Sequence, residues 1–214
     1  MNSTLFTVAA VLLTSGALAG IPTQQSARDP IRVNASKNGV FGLSLGAVKT
    51  SVRLEGIAGC TGGIFDGSDP KSRPSGGEAD TRVIDLLQKG GFWYLTFQTT
   101  LSSGCNVMGF CGAGEAVSLV WLKLEKSLKL AGKQVEILED CRSNTSLTGW
   151  SGKSSAKSPD LDNPKLELRS SLLELTYESN HYEKQVQTVS SLRYDRRAPE
   201  RGFKVSSVQV LIKL

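Results

Sequence analysis

The chain has 214 residues, 39% of them hydrophobic and 21% charged, with a formal net charge of +5. That apolar share supplies a real core and excludes a chain disordered throughout. Twenty-two Gly against only 7 Pro exclude a collagen-like chain, and the length favours one domain.

Residues 5–18 form an apolar run interrupted only by small or hydroxyl side chains, with no charge before Arg28. The run ends in Ala17-Leu18-Ala19-Gly20, the small-x-small pattern cut by signal peptidases. It predicts a signal peptide over residues 1–19, cleaved after Ala19, and a secreted or periplasmic mature chain of 195 residues. Met1-Asn2-Ser3-Thr4 lacks the usual positive charge of such a leader. The run is short for a membrane span, no second one follows, and neither a lipid-carrying Cys nor a hydrophobic tail is present.

Val40-Phe41-Gly42-Leu43-Ser44-Leu45-Gly46 reads as a glycine-flanked strand. Residues 56–80 carry Gly-Gly, Asp-Pro and Arg-Pro punctuation and read as a loop. A strand over 83–87 then meets the tight-turn signal Lys89-Gly90-Gly91. Beyond it, Trp93, Leu95, Phe97, Thr99 and Leu101 alternate with Tyr94, Thr96, Gln98 and Thr100, which predicts a half-buried strand. Residues 117–124 and 128–140 make a hairpin about Glu125-Lys126-Ser127. A turn centred on Lys126 opposes residues whose numbers sum to 252, placing Val117 opposite Val135 and Cys111 opposite Cys141.

Cross-strand positions suit a disulfide, so this register predicts Cys111–Cys141 and leaves Cys60–Cys105. The four cysteines form an even set, as an oxidising compartment requires. Their spacings of 45, 6 and 30 residues contain no C-x-x-C, and the sole histidine, His181, is remote in sequence. Neither a zinc site nor any other metal or cofactor is expected.

Residues 142–164 hold six Ser and read as a long polar loop within a single domain over 20–214. Leu166, Leu168, Leu173, Leu175 and Tyr177 then alternate, although Asn163-Pro164 is also a helix-start signal. Residues 186–194 and 203–214 form a closing pair of strands with Val208, Val210, Ile212 and Leu214 on one face. The fold expected is mainly β: an antiparallel β-sandwich or small barrel with long Gly/Ser-rich loops. Four cysteines and the absence of aromatic girdles argue against an outer-membrane barrel.

Chemical motifs are sparse. Gly42-Leu43-Ser44-Leu45-Gly46 matches G-x-S-x-G, and Ser44 with His181 as base and Asp160 as orienter would follow the chain order of α/β-hydrolases. That elbow needs a strand-to-helix turn in a wound sheet, whereas these strands read as antiparallel. His181 sits in the polar stretch Glu178-Ser179-Asn180-His181-Tyr182-Glu183, read as a loop. Asp66-Gly67-Ser68-Asp69-Pro70 and Asp160-Leu161-Asp162-Asn163 lack a calcium-loop pattern and read as turns. Asn34 and Asn144 head glycosylation sequons, meaningful in a eukaryotic source.

Charge is more informative. Arg193, Arg196, Arg197 and Arg201 cluster around a turn at 195–202, beside Tyr194 and Phe203. Such a loop suits an anionic polysaccharide, a lipid headgroup or the carboxylates of a protein surface. Ion pairs to Asp195 and Glu200 are the plainer account of the same charges. No nucleic-acid motif is present. The sequence therefore reads as an exported, disulfide-bonded β protein, a non-enzymatic binding or envelope-associated module. A small secreted hydrolase using Ser44 and His181, and an inhibitor of a secreted enzyme, are the alternatives.

Overall fold

The structure is a computed structural model that describes residues 31–34, 39–59, 79–102, 115–150, 166–168 and 170–212. These residues form eleven strands and short 3-10 turns, with no α-helix among them. The strands make three antiparallel sheets in a sandwich-like arrangement, as the alternating pattern predicts.

The N-terminal sheet is a meander of β1 (Ile31–Asn34), β2 (Val40–Leu45) and β3 (Val48–Arg53). The middle sheet follows as β4 (Asp80–Lys89), β5 (Phe92–Ser102), β6 (Glu115–Glu125) and β7 (Leu130–Glu139). The C-terminal sheet runs β8 (Thr145–Trp150), β9 (Leu172–His181), β10 (Val186–Asp195) and β11 (Phe203–Leu211). Within each sheet every strand pairs with its neighbour in sequence. Gly90 and Gly91 carry β4 into β5, with φ of 59° and 84°. Two successive positive φ values match the right-handed twist of the flanking strands, and glycine adopts them without steric cost.

The middle sheet is covered on both faces. Leu95, Phe97, Leu101, Val120, Leu122 and Leu124 pack with Ile31, Phe41, Leu43 and Val52 of the N-terminal sheet. Tyr94, Val117, Leu119, Trp121 and Leu138 pack with Leu147, Leu173, Leu175, Tyr177, Leu192, Tyr194 and Phe203 of the C-terminal sheet. This corrects the half-buried strand expected at 93–101, because residues 94–101 are all buried. The polar side of the alternation is roofed by the C-terminal sheet instead of facing water. Gln98 repays its burial there by accepting a hydrogen bond from the Leu166 amide at 3.1 Å, which docks Leu166 and Leu168 into the same core. Full burial also accounts for the nearly unbroken apolar run of β6.

A bulge in β4 matters to this layering. Val83 pairs with Phe97, but Asp85 pairs with Thr96, so one extra residue, Ile84, is accommodated. The bulge shifts the phase of the strand, as bulges do. Val83 faces the N-terminal sheet, and Asp85 is turned toward the C-terminal sheet, where it meets Tyr194.

The β6–β7 hairpin is longer-turned than the sequence reading. Val120 opposes Val135 and Val117 opposes Glu139, not Val135. Leu128 leaves the strand in a left-handed conformation, φ 64°, and is fully buried in the N-terminal core. Its amide donates to Glu125 O at 2.9 Å, so burying the leucine sets the turn and moves the register by three. The register from which Cys111–Cys141 was argued is therefore not the one adopted. Cys141 does not carry a free thiol; Cys60, Cys105 and Cys111 lie outside the described residues.

Part of the polar loop expected at 142–164 is ordered as secondary structure. Cys141–Ser143 is a 3-10 turn and Thr145–Trp150 is β8, which Leu147 anchors in the core. A bridge between Asp140 and Thr145 links β7 to β8 and turns the chain from the middle sheet into the C-terminal one. Residues 1–30, 60–78 and 151–165 are not described, so the signal-peptide reading, both acidic turns and the Asn163-Pro164 helix start lie outside the described residues.

Candidate binding surface

The arginine-rich turn joins β10 to β11 at one end of the C-terminal sheet. Residues 196–201 form it, with Pro199–Arg201 in a 3-10 turn closed by Gly202. Gly202 has φ 61°, and a Cβ there would collide with the Gln134 amide. That same amide oxygen accepts the Phe203 N–H at 2.6 Å, so glycine is required for β11 to start against β7. Trp121 donates its indole N–H to Pro199 O at 3.0 Å from within the core. Lys89 donates to Arg197 O at 2.9 Å and to the Glu200 carboxylate at 3.0 Å.

Most of the arginine charge is met locally. Arg196 Nε lies 3.0 Å from Asp85 Oδ1, and Tyr194 donates its hydroxyl to Asp85 Oδ2 at 2.8 Å. Burial pushes the Asp85 carboxyl above its ordinary range, while the Tyr194 hydrogen bond and the Arg196 charge pull it back. The Tyr194 phenol is itself pushed well up, by burial first and then by the Asp85 charge. Arg197 grips Asp195 with two parallel bonds of 3.0 Å each, Nε to Oδ1 and Nη2 to Oδ2. Hydrogen bonding from the Arg197 side chain and amide holds Asp195 down at about 2. Arg193 sits 3.9 Å from Glu174 on the neighbouring strand. Tyr194 is buried, so of the five predicted contact residues it serves the core. Arg201 and Lys204 are exposed and enter no ion pair among the described residues.

The feature that alternation did not reveal lies just beyond. β11 ends the sheet order, and after Phe203 every residue of it is exposed. Val205, Val208, Val210 and Leu211 are among the exposed large apolar side chains, Val208 at 65% and Leu211 at 78%. Of the expected one-faced set of Val208, Val210, Ile212 and Leu214, Val208 and Val210 share a side of β11, but that side is open, not core. Ile212 follows the strand, and Leu214 lies outside the described residues. From Val205 to Ile212 the strand carries no charge and no proline. Edge strands ordinarily carry such residues to discourage pairing with other chains. β3, the edge of the N-terminal sheet, does so with Lys49 and Arg53.

Backbone alternation identifies the free groups. The Ile212 amide donates to Gln185 O at 2.8 Å, so even-numbered residues of β11 face β10. The N–H and C=O of Val205, Ser207, Gln209 and Leu211 are then directed away from the sheet.

The hydrolase pattern is not assembled. Ser44 lies within β2, paired with Arg32 and Lys49, in a regular strand and not a strand-to-helix turn. His181 ends β9 in the C-terminal sheet, with the middle sheet between the two. The stretch around it, read as a loop, is strand through His181 and then a 3-10 turn at Tyr182–Lys184. Asn34 and Asn144 are both exposed. Among the described residues no cluster of three His, Cys, Asp or Glu could hold a metal ion, and no helix is long and apolar enough to cross a membrane.

Scans against protein-family models, curated proteins and solved structures found no match to this chain.

Proposed function

We propose that this protein is an exported, disulfide-bonded, non-enzymatic binding module that takes up an extended strand of a protein partner along the free edge of β11. The observation that supports this reading is the edge itself. Val205, Ser207, Gln209 and Leu211 present outward N–H and C=O groups, beside exposed valines and on a stretch that lacks the charges that normally guard such a position. Strand addition draws affinity from main-chain hydrogen bonds and specificity from alternate side chains. The arginine turn supports a protein partner over a polysaccharide or a lipid headgroup, since Arg193, Arg196 and Arg197 are engaged by Glu174, Asp85 and Asp195. Arg201 and Lys204 remain at the start of the strand, where they favour a partner with a carboxylate near that end.

Gln209→Pro tests the reading. Its N–H points outward, so proline removes an edge donor without breaking the β10 ladder. The native mass spectrum of the protein from its own source should carry the mass of a bound polypeptide, and the variant should lose it. A lone mature chain for wild type and variant alike removes the reading.

A further inference from the structure

We infer that the strand taken up by β11 is β11 of a second copy of this chain, giving an antiparallel pair across a two-fold axis at Val208. The inference rests on the strand-addition reading and names its partner. An isologous dimer requires one surface to complement itself, and β11 meets that requirement with the axis at Val208, the most exposed of its outer-face valines.

Only odd-numbered residues of β11 have outward backbone groups, so a partner strand must hydrogen-bond through them. Centring the pair on Val208 makes Val205 oppose Leu211 of the copy and Ser207 oppose Gln209, both through outward-facing backbone. Val208 then meets its own counterpart at a position without direct hydrogen bonds, where cross-strand side chains approach most closely. Ser206 meets Val210, and Lys204 meets Ile212.

The charges favour the same arrangement. Lys204 is the one charged residue of β11, and it stands at the beginning of the strand. An antiparallel partner puts the two copies at opposite ends of the pair, whereas a parallel in-register partner would set lysine beside lysine. The apolar complement is balanced as well. Val208 and Val210 stand on the outer face, and Val205 and Leu211 stand on the inner face, exposed at the margin of the sheet. Pairing gives the apolar side chains of both faces cross-strand neighbours at once. The result is a continuous eight-stranded sheet in which β11 is no longer an edge, and the pairing stops at two chains because the strand has no second free side.

Native mass spectrometry of the full exported chain, with sedimentation velocity across a concentration series, tests this. The expected mass is that of two mature chains. Val208→Lys apposes two lysines on the axis and should weaken association by more than about tenfold. Val210→Lys, opposite Ser206 of the copy, should weaken it by about threefold. At concentrations low enough for each to be a monomer, all three proteins should share one thermal midpoint, because both side chains are exposed in the monomer. A dimer that survives Val208→Lys, or one that responds more strongly to Val210→Lys, overturns the pairing. Bound mass belonging to a different polypeptide overturns the second-copy assignment but keeps β11 as a strand acceptor. A lone chain at every concentration removes both.

Discussion

Toward the N-terminal sheet the middle sheet turns Leu95, Phe97, Val120, Leu122 and Leu124, met by Phe41, Leu43, Val52 and Leu128. Toward the C-terminal sheet it turns Tyr94, Trp121, Gln98 and Asp85, met by Tyr177, Tyr194 and the Pro199 carbonyl. The first interface is mostly shape and apolar area. It has one short buried bond, from the Ala58 amide to Ser118 Oγ at 2.9 Å, and longer ones from Thr81 to Val33 O and from Lys133 to Arg53 O at 3.4 Å each. The second adds hydrogen bonds with defined ends: Tyr194 to Asp85 at 2.8 Å, Trp121 to Pro199 at 3.0 Å and Tyr177 to Glu136 at 3.1 Å. Apolar packing is non-directional and tolerates sliding, whereas a buried hydrogen bond fixes one position. The sheet that carries the proposed contact strand is thus the one docked through aromatic side chains, Trp121, Tyr177 and Tyr194, that are each tied to a named polar partner.

Substitution can break this contrast where it is strongest. Phe97 is fully buried, its ring tilted against that of Phe41 with centroids 5.8 Å apart, so Phe97→Ala should cost about 3–5 kcal/mol in chemical denaturation. A loss under about 1 kcal/mol would mean that the N-terminal sheet is not packed as described. Tyr194→Phe removes one hydroxyl and no apolar area, yet it leaves Asp85 buried with one donor fewer. Its expected cost is about 1–3 kcal/mol, and in an Asp85→Asn background the cost should fall. Equal costs in both backgrounds would detach the tyrosine from the carboxylate.

The smallest effect sharpens the comparison by pH. Burial, and then the Glu136 charge, pushes the Tyr177 phenol up to about 12. Between the ordinary value of 10.0 and about 12 the folded chain holds a proton that the unfolded chain releases. Stability from this group is therefore intact below pH 10 and is lost as pH rises through that window. Tyr94 and Tyr194 are raised too and act in the same direction. Tyr177→Phe should flatten the alkaline fall in thermal midpoint without abolishing it. An unchanged fall would mean that the Tyr177 phenol is not held protonated by its burial and by Glu136.

Strands β2, β4 to β7 and β9 to β11 were legible from apolar alternation, from the glycines that flank β2, from the apolar run of β6 and from the Gly90-Gly91 turn. β1 is four residues long, too short for a period, and β8 hides in a serine-rich stretch where Leu147 is the residue that reaches the core. The second covered face of β5 was not legible, because Thr96, Gln98 and Thr100 look like a solvated side until another sheet arrives. The arginine cluster stood out in the sequence, but its neutralisation did not. Asp85 and Lys89 lie more than 100 positions from the residues they engage. The exposure of β11 was equally hidden, since alternation fixes which residues share a face and is silent on what covers it.

The order of the strands has a kinetic consequence. Each strand of a sheet hydrogen-bonds to the one just before or after it, so in the C-terminal sheet the β9–β10 and β10–β11 pairs close over short turns. Closing a short loop costs little chain entropy, and a topology of nearest-neighbour hairpins folds faster than one whose strands pair across long separations. The chain can accordingly zip each sheet locally as its segments become available. The slower event is the stacking of the sheets, which must wait for residues as far apart as Asp85 and Tyr194 to find one another.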